Sequence, residues 1–137
     1  LQQKKLQKAA ESFQVFVEAQ PSNHVAALVY AKVLMDLERW DEAAEVLEAA
    51  LAQQPTSPDI SFRLAEALAH GDDKKRALGA LYYACRQVEA KHAMARLAKP
   101  AFDSLRNERA FQSLLKALTD ALPPELPASA PPQPTPP

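Results

Sequence analysis

The side chains best able to do chemistry in this 137-residue chain are one cysteine, three histidines and a dense run of carboxylates. Cys85 and His92 stand seven positions apart, so on one continuous helix they would share a face and offer two ligands to a metal. Two ligands do not make a site, and Cys85 falls in an apolar series that calls for a small buried side chain. Gly71-Asp72-Asp73 looks like the start of a cation loop, but the spacing and distal Glu of a calcium loop are missing, which leaves a turn. Asp36, Glu38, Asp41, Glu42, Glu45 and Glu48 could serve paired-carboxylate catalysis only if an apolar pocket raised one of their pKa values. No such pocket pattern surrounds them, so a solvated helix face is expected, with Asp41 and Glu42 placed to favour a helix start. His24 and His70 sit at helix ends far apart. No serine lies in a nucleophile elbow, and no glycine-rich loop could cradle a phosphate. The sequence therefore predicts no catalytic residue, no cofactor and no metal site, and what remains is a surface.

Composition narrows the partner of that surface. With 47% hydrophobic and 24% charged residues the chain is an ordinary globular one, of a length for a single domain. A net charge of −1 supplies no broad cationic field, which disfavours nucleic acid. No apolar run approaches the ~18 residues of a membrane span. A lone cysteine excludes an internal disulfide. The first residue, Leu1, points to a piece of a longer chain or to a processed product; the location is left open, with the cytoplasm favoured and the periplasm the alternative if a signal lies upstream of Leu1. Oligomeric state is left open.

Helices must position whatever this surface presents. Two glycines against twelve prolines, most of them crowded near the end, predict long helices followed by something else. Residues 3–19 read as a helix with Leu6, Ala9, Phe13, Phe16 and Val17 on one side, closed by Gln20-Pro21-Ser22. Residues 24–37 and 40–53 read as a hairpin through Leu37-Glu38-Arg39. Ser57-Pro58-Asp59 starts the next helix with a cap, a proline in the first turn and a favourable charge; it runs to about His70, where Gly71 is expected to supply the left-handed stop and Asp72 or Asp73 the next cap. A helix from Lys74, continuing past Glu89, turns Ala77, Leu78, Leu81, Ala84, Cys85 and Val88 inward. After Pro100, Asn107 is placed to cap a last helix of about 108–121.

These helices copy one another. Ala9, Ala43 and Ala77 stand 34 residues apart, as do Phe13, Leu47 and Leu81, and the same step links Pro21 to Pro55, Tyr30 to Leu64, Ala31 to Ala65 and Leu34 to Leu68. A period of 34 with large residues on large and small on small is the mark of a helix-turn-helix repeat. Trp40, Ala43, Leu47, Ala50-Leu51 and Pro55 resemble the second helix of the tetratricopeptide repeats, aromatic-x-x-Ala-x-x-x-large-x-x-Ala-Leu and then Pro. The first helices, with Ala27, Tyr30-Ala31 and Leu34, then Ser61, Leu64-Ala65 and Leu68, keep the family's sizes but not its Trp-x-x-Leu-Gly-x-x-Tyr identities. Phe102-Asp103-Ser104-Leu105-Arg106, followed by Arg109, Phe111, Leu114 and Leu115, looks like the closing segment of bacterial members.

The resemblance implies an all-α, right-handed helical-hairpin solenoid of about two and a half repeats plus a C-terminal capping helix. Its expected parts are a half repeat 1–23, repeats 24–57 and 58–91, and a capping segment 92–122, together a domain of residues 1–122. Residues 123–137 are a proline-rich tail or linker, and Pro131-Pro132-Gln133-Pro134 loosely fits a docking ligand. The expected function is non-catalytic: an adaptor or scaffold that binds a peptide or helix of another protein in the concave groove lined by the first helix of each hairpin. Val25, Leu28, Val29, Lys32 and Met35 of one repeat, with Phe62, Arg63 and Glu66 of the next, are the expected contact residues. Family members that clamp the carboxylate tail of heat-shock chaperones use polar and basic residues where this chain has Leu28 and Val29, which disfavours that partner. The alternative is a regulatory or targeting domain of a longer enzyme with its groove filled in cis.

Overall fold

The computed structural model describes residues 2–122, which form seven α-helices and one 3-10 helix and contain no strand. In chain order they are α1 (Gln2–Ala19), α2 (His24–Asp36), α3 (Trp40–Gln53), α4 (Pro58–His70), α5 (Lys74–Cys85), α6 (Ala90–Leu97), the 3-10 helix (Pro100–Leu105) and α7 (Arg109–Ala121). Each helix packs on the next from α1 through α5, and the 3-10 helix returns to lie against α4. The result is a helical-hairpin solenoid. The expectations for residues 123–137 lie outside the described residues.

Short polar side chains set where the helices begin. Asn23 Oδ1 accepts from the Ala26 amide at 3.0 Å, Ser57 Oγ from Ile60 at 3.4 Å and Asp73 Oδ1 from Arg76 at 3.2 Å. Each meets one of the unpaired N–H groups of a first turn. Between the helices of a hairpin the chain turns through a left-handed residue, Glu38 at φ 59° and Asp72 at φ 67°, again 34 positions apart. The expectation that Gly71 would be the left-handed residue is corrected here: its φ is −82°. Glycine is needed there for closeness, since a Cβ on Gly71 would sit 3.2 Å from Trp40 Cβ and from the Ala67 carbonyl oxygen.

Repeat-related residues are buried alike. Ala31 and Ala65, Ala43 and Ala77, and Leu47 and Leu81 are all withdrawn from solvent. Small residues let the helices approach and large ones fill the space between. Ala9 and Phe13 hold the corresponding places on α1 but remain partly exposed, because among the described residues α1 packs mainly on α2. At the other end α4 is enclosed by α3, α5 and the 3-10 helix, and nine of its 13 residues are buried.

The chain beyond α5 departs from expectation. The helix from Lys74 ends at Cys85; residues 86–89 turn, and α6 is a separate helix beginning at Ala90. Nothing in Arg86-Gln87-Val88-Glu89 is a helix breaker, so packing decides it: α6 turns Ala93 and Leu97 inward, and Val88 and Ala90 rest on the same core. Tyr83 Oη and Gln87 Nε2, the latter at 3.1 Å, both donate to the Pro55 carbonyl and moor the turn to the loop before α4. Cys85 and His92 therefore do not share a helix face. The residue preceding α7 is Glu108 rather than Asn107, and it makes no side-chain cap. Phe102, Leu105 and Phe111 are fully buried, and Arg106 ties the 3-10 helix together by donating to Asp103 Oδ1 at 2.7 Å and to the Lys99 carbonyl at 3.0 Å.

Candidate functional site

Positions 25, 29, 32 and 36 are spaced four, three and four apart and form one stripe on α2. Val25 is 60% and Val29 41% exposed, and Lys32 and Asp36 are exposed beside them. Leu28 and Met35 flank the stripe half-buried, packed on the core. Two β-branched apolar side chains one turn apart in water gain nothing for the fold from that placement.

One period later the stripe becomes Asp59, Arg63, Glu66 and His70 on α4, and its surroundings change. Arg63 is half-buried and donates to Glu66 at 3.0 Å, while Glu66 is only 6% exposed, so each satisfies the other. Phe62 is 1% exposed. The guanidinium of Arg96 on α6 lies 4.6 Å above its ring centroid and reaches Asp59 at 3.5 Å. The expectation that Phe62 and Glu66 meet a partner at the surface is thereby corrected: both side chains are buried, the Arg96 side chain from α6 covers Phe62, and the 3-10 helix packs on α4. The structure brings Val25, Leu28, Val29, Lys32 and Met35 together on α2, leaves Arg63 at the edge and takes Phe62 and Glu66 inside. Sequence reasoning missed Arg96, whose signal was its place 34 residues after Phe62.

Burial pushes the Cys85 thiol up to about 11, so at neutral pH it is a protonated core side chain and not a nucleophile. No group of three His, Cys, Asp or Glu side chains is gathered for a metal among the described residues. His70 stacks on Trp40 with ring centroids 4.6 Å apart, closing the end of the α3–α4 layer beside Gly71. None of the described helices is long and apolar enough to cross a membrane.

Two family models, both described as tetratricopeptide repeat, match residues 1–50 and 28–92 and so cover residues 1–92 between them. Among solved structures the chain is similar to MamA MSR-1 C2, at 17% identity and a TM-score of 0.63, over 85% of this chain and 67% of that one. It is also similar to the MamA RS-1 ArsTM double mutant, at 17% identity and a TM-score of 0.62, over 86% of this chain and 66% of that one. At such identity the likeness speaks to the fold. This chain spans about two thirds of those proteins. Comparison with curated proteins finds no match.

Proposed function

Since this chain belongs to the tetratricopeptide repeat family, whose domains are in general non-catalytic modules that bind protein partners, we propose that it is an adaptor holding a segment of another protein on the exposed stripe of α2. The observation that carries the reading is the exposure of Val25 and Val29, four residues apart on a first helix of the array. A partner laying one apolar side chain across them, with Leu28 and Met35 beneath, recovers burial worth about 1.5–3 kcal/mol for a fully covered side chain. Lys32, one turn on, makes no ion pair among the described residues and sets the partner's direction through an acidic group; Arg63, half-committed to Glu66, adds less.

The test is affinity capture followed by mass spectrometry with the wild type, Val25→Ser/Val29→Ser and, as control, Lys75→Ser on the exposed side of α5. Proteins retained by the wild type and the control should be lost from the double variant while its helicity stays unchanged. A double variant that keeps the same proteins sinks the reading.

A further inference from the structure

A second recess lies on the side of the array away from that stripe, between α1 and α3, with α2 as its floor. It has a volume of about 370 Å³, towards the lower end of the ~300–1,000 Å³ common for ligand clefts. Val17 and Val46 give its two walls an apolar base. Tyr30 rises into it from α2. That residue is only 7% exposed; its hydroxyl oxygen is the part left open to the recess, and it makes no hydrogen bond among the described residues. Burial, and then the Glu42 carboxylate, raise the Tyr30 hydroxyl above its ordinary pKa, so the group is a neutral phenol with a proton to donate. A phenol whose ring is buried and whose hydroxyl faces an open recess can give that proton to a ligand's acceptor in place of water.

The rim decides the ligand's charge. Glu18 on α1 stands across from Glu42 and Glu45 on α3, and no Lys, Arg or His lines the recess. Glu42 is already held by Arg39, which donates to it from Nε at 3.1 Å. Glu45 makes no ion pair or hydrogen bond among the described residues, and Glu18 accepts only from Gln14 Nε2 at 3.3 Å. Two carboxylates on opposite walls thus remain available. Their separation on two helices and the absence of a third gathered ligand do not suit a metal ion.

We infer that this recess binds an arginine-bearing segment of a partner protein, its guanidinium set between Glu18 and Glu45, its neighbouring apolar side chain on Val17 and Val46, and one of its carbonyl groups accepting from Tyr30. Charge complementarity selects the cation, and the planar fork of arginine suits two carboxylates better than the point charge of lysine. The volume admits one or two side chains and not a helix laid across the array. This site shares no residue with the α2 stripe, so either stands without the other.

The probe is the capped pentapeptide acetyl-Ala-Leu-Arg-Leu-Ala-amide, titrated into the full 15N-labelled chain at low salt beside the same peptide with Glu in place of Arg. Amide shifts should appear at Val17, Tyr30, Glu45 and Val46 with the Arg peptide alone and should fade as salt is raised. Glu18→Gln/Glu45→Gln changes only exposed side chains and should weaken binding roughly tenfold or more, the worth of a charged hydrogen bond. Tyr30→Phe should weaken it roughly threefold to tenfold. Absence of shifts at millimolar peptide, equal shifts with the Glu peptide, or unchanged affinity in the Gln double variant overturns the inference. Shifts confined to Val25 and Val29 overturn it as well and assign the peptide to the α2 stripe.

Discussion

Replacing Phe62 with alanine removes a ring that is 1% exposed, enclosed by the core on one side and by the Arg96 guanidinium at 4.6 Å on the other. Loss of a buried phenylalanine costs about 3–5 kcal/mol, combining lost transfer energy with the cavity left behind. The cation over the ring adds about 0.5–1 kcal/mol where the cation stays partly hydrated, and the Arg96 side chain is 19% exposed. The Arg96–Asp59 pair contributes little by itself, because Asp59 is 73% exposed. At about 3–6 °C per kcal/mol for a domain of this size, the melting temperature should fall by roughly 10–35 °C. The assay is thermal and urea unfolding followed by circular dichroism. A double-mutant cycle with Arg96→Ala should return a coupling of about 0.5–1 kcal/mol if the ring and the guanidinium interact as described. If Phe62→Ala melts with the wild type yet loses a bound partner, Phe62 is a surface anchor and the placement of α6 over α4 is wrong.

Leu47→Asp should prevent cooperative folding, because it sets an unpaired charge at a fully buried repeat position; an unchanged melting curve would defeat the repeat assignment. Deleting residues 101–122 removes Phe102, Leu105 and Phe111 from the core and should lower the melting temperature or cause aggregation, whereas a monomer with wild-type stability would show that the segment does not act as a cap. The raised Cys85 pKa carries a sign: the folded thiol keeps its proton to about pH 11, while the unfolded one releases it from about 8.5 upward. Its contribution is whole below that lower value and is lost as pH climbs through the window. Cys85→Ala should therefore flatten the alkaline decline in stability, and an identical decline in the variant would count against burial as the cause.

The array from α1 to α5 was legible because one signal, the 34-residue step, repeats at Ala9, Ala43 and Ala77 and at their apolar neighbours. Ser57 and Asp73 were legible as caps for the local reason that a short oxygen can reach an amide three residues on. Local logic failed at Gly71, where freedom of φ was expected and closeness to Trp40 was the real demand. It failed again at residues 86–89, where no glycine or proline marks the turn and only packing of Ala93 and Leu97 ends α5. The error over Phe62 follows from that one. Unless α6 is seen as a helix of its own, nothing in the sequence says that the α4 side of the groove is already occupied. The recess at Tyr30 needed the same kind of knowledge, because its walls come from helices more than 20 residues apart in the chain.

The half-covered state of Ala9 and Phe13 sets the order in which the molecule loosens. A helix held chiefly by one neighbour opens at less cost than one enclosed by three, so amide hydrogens in α1 should exchange soonest and those of α4 last. Opening of α1 takes away Glu18 and Val17, and with them one wall of the recess above Tyr30. Val25 and Val29 stay in place on α2. An arginine ligand in that recess would then act as a clasp on α1, slowing its exchange well beyond the residues it touches.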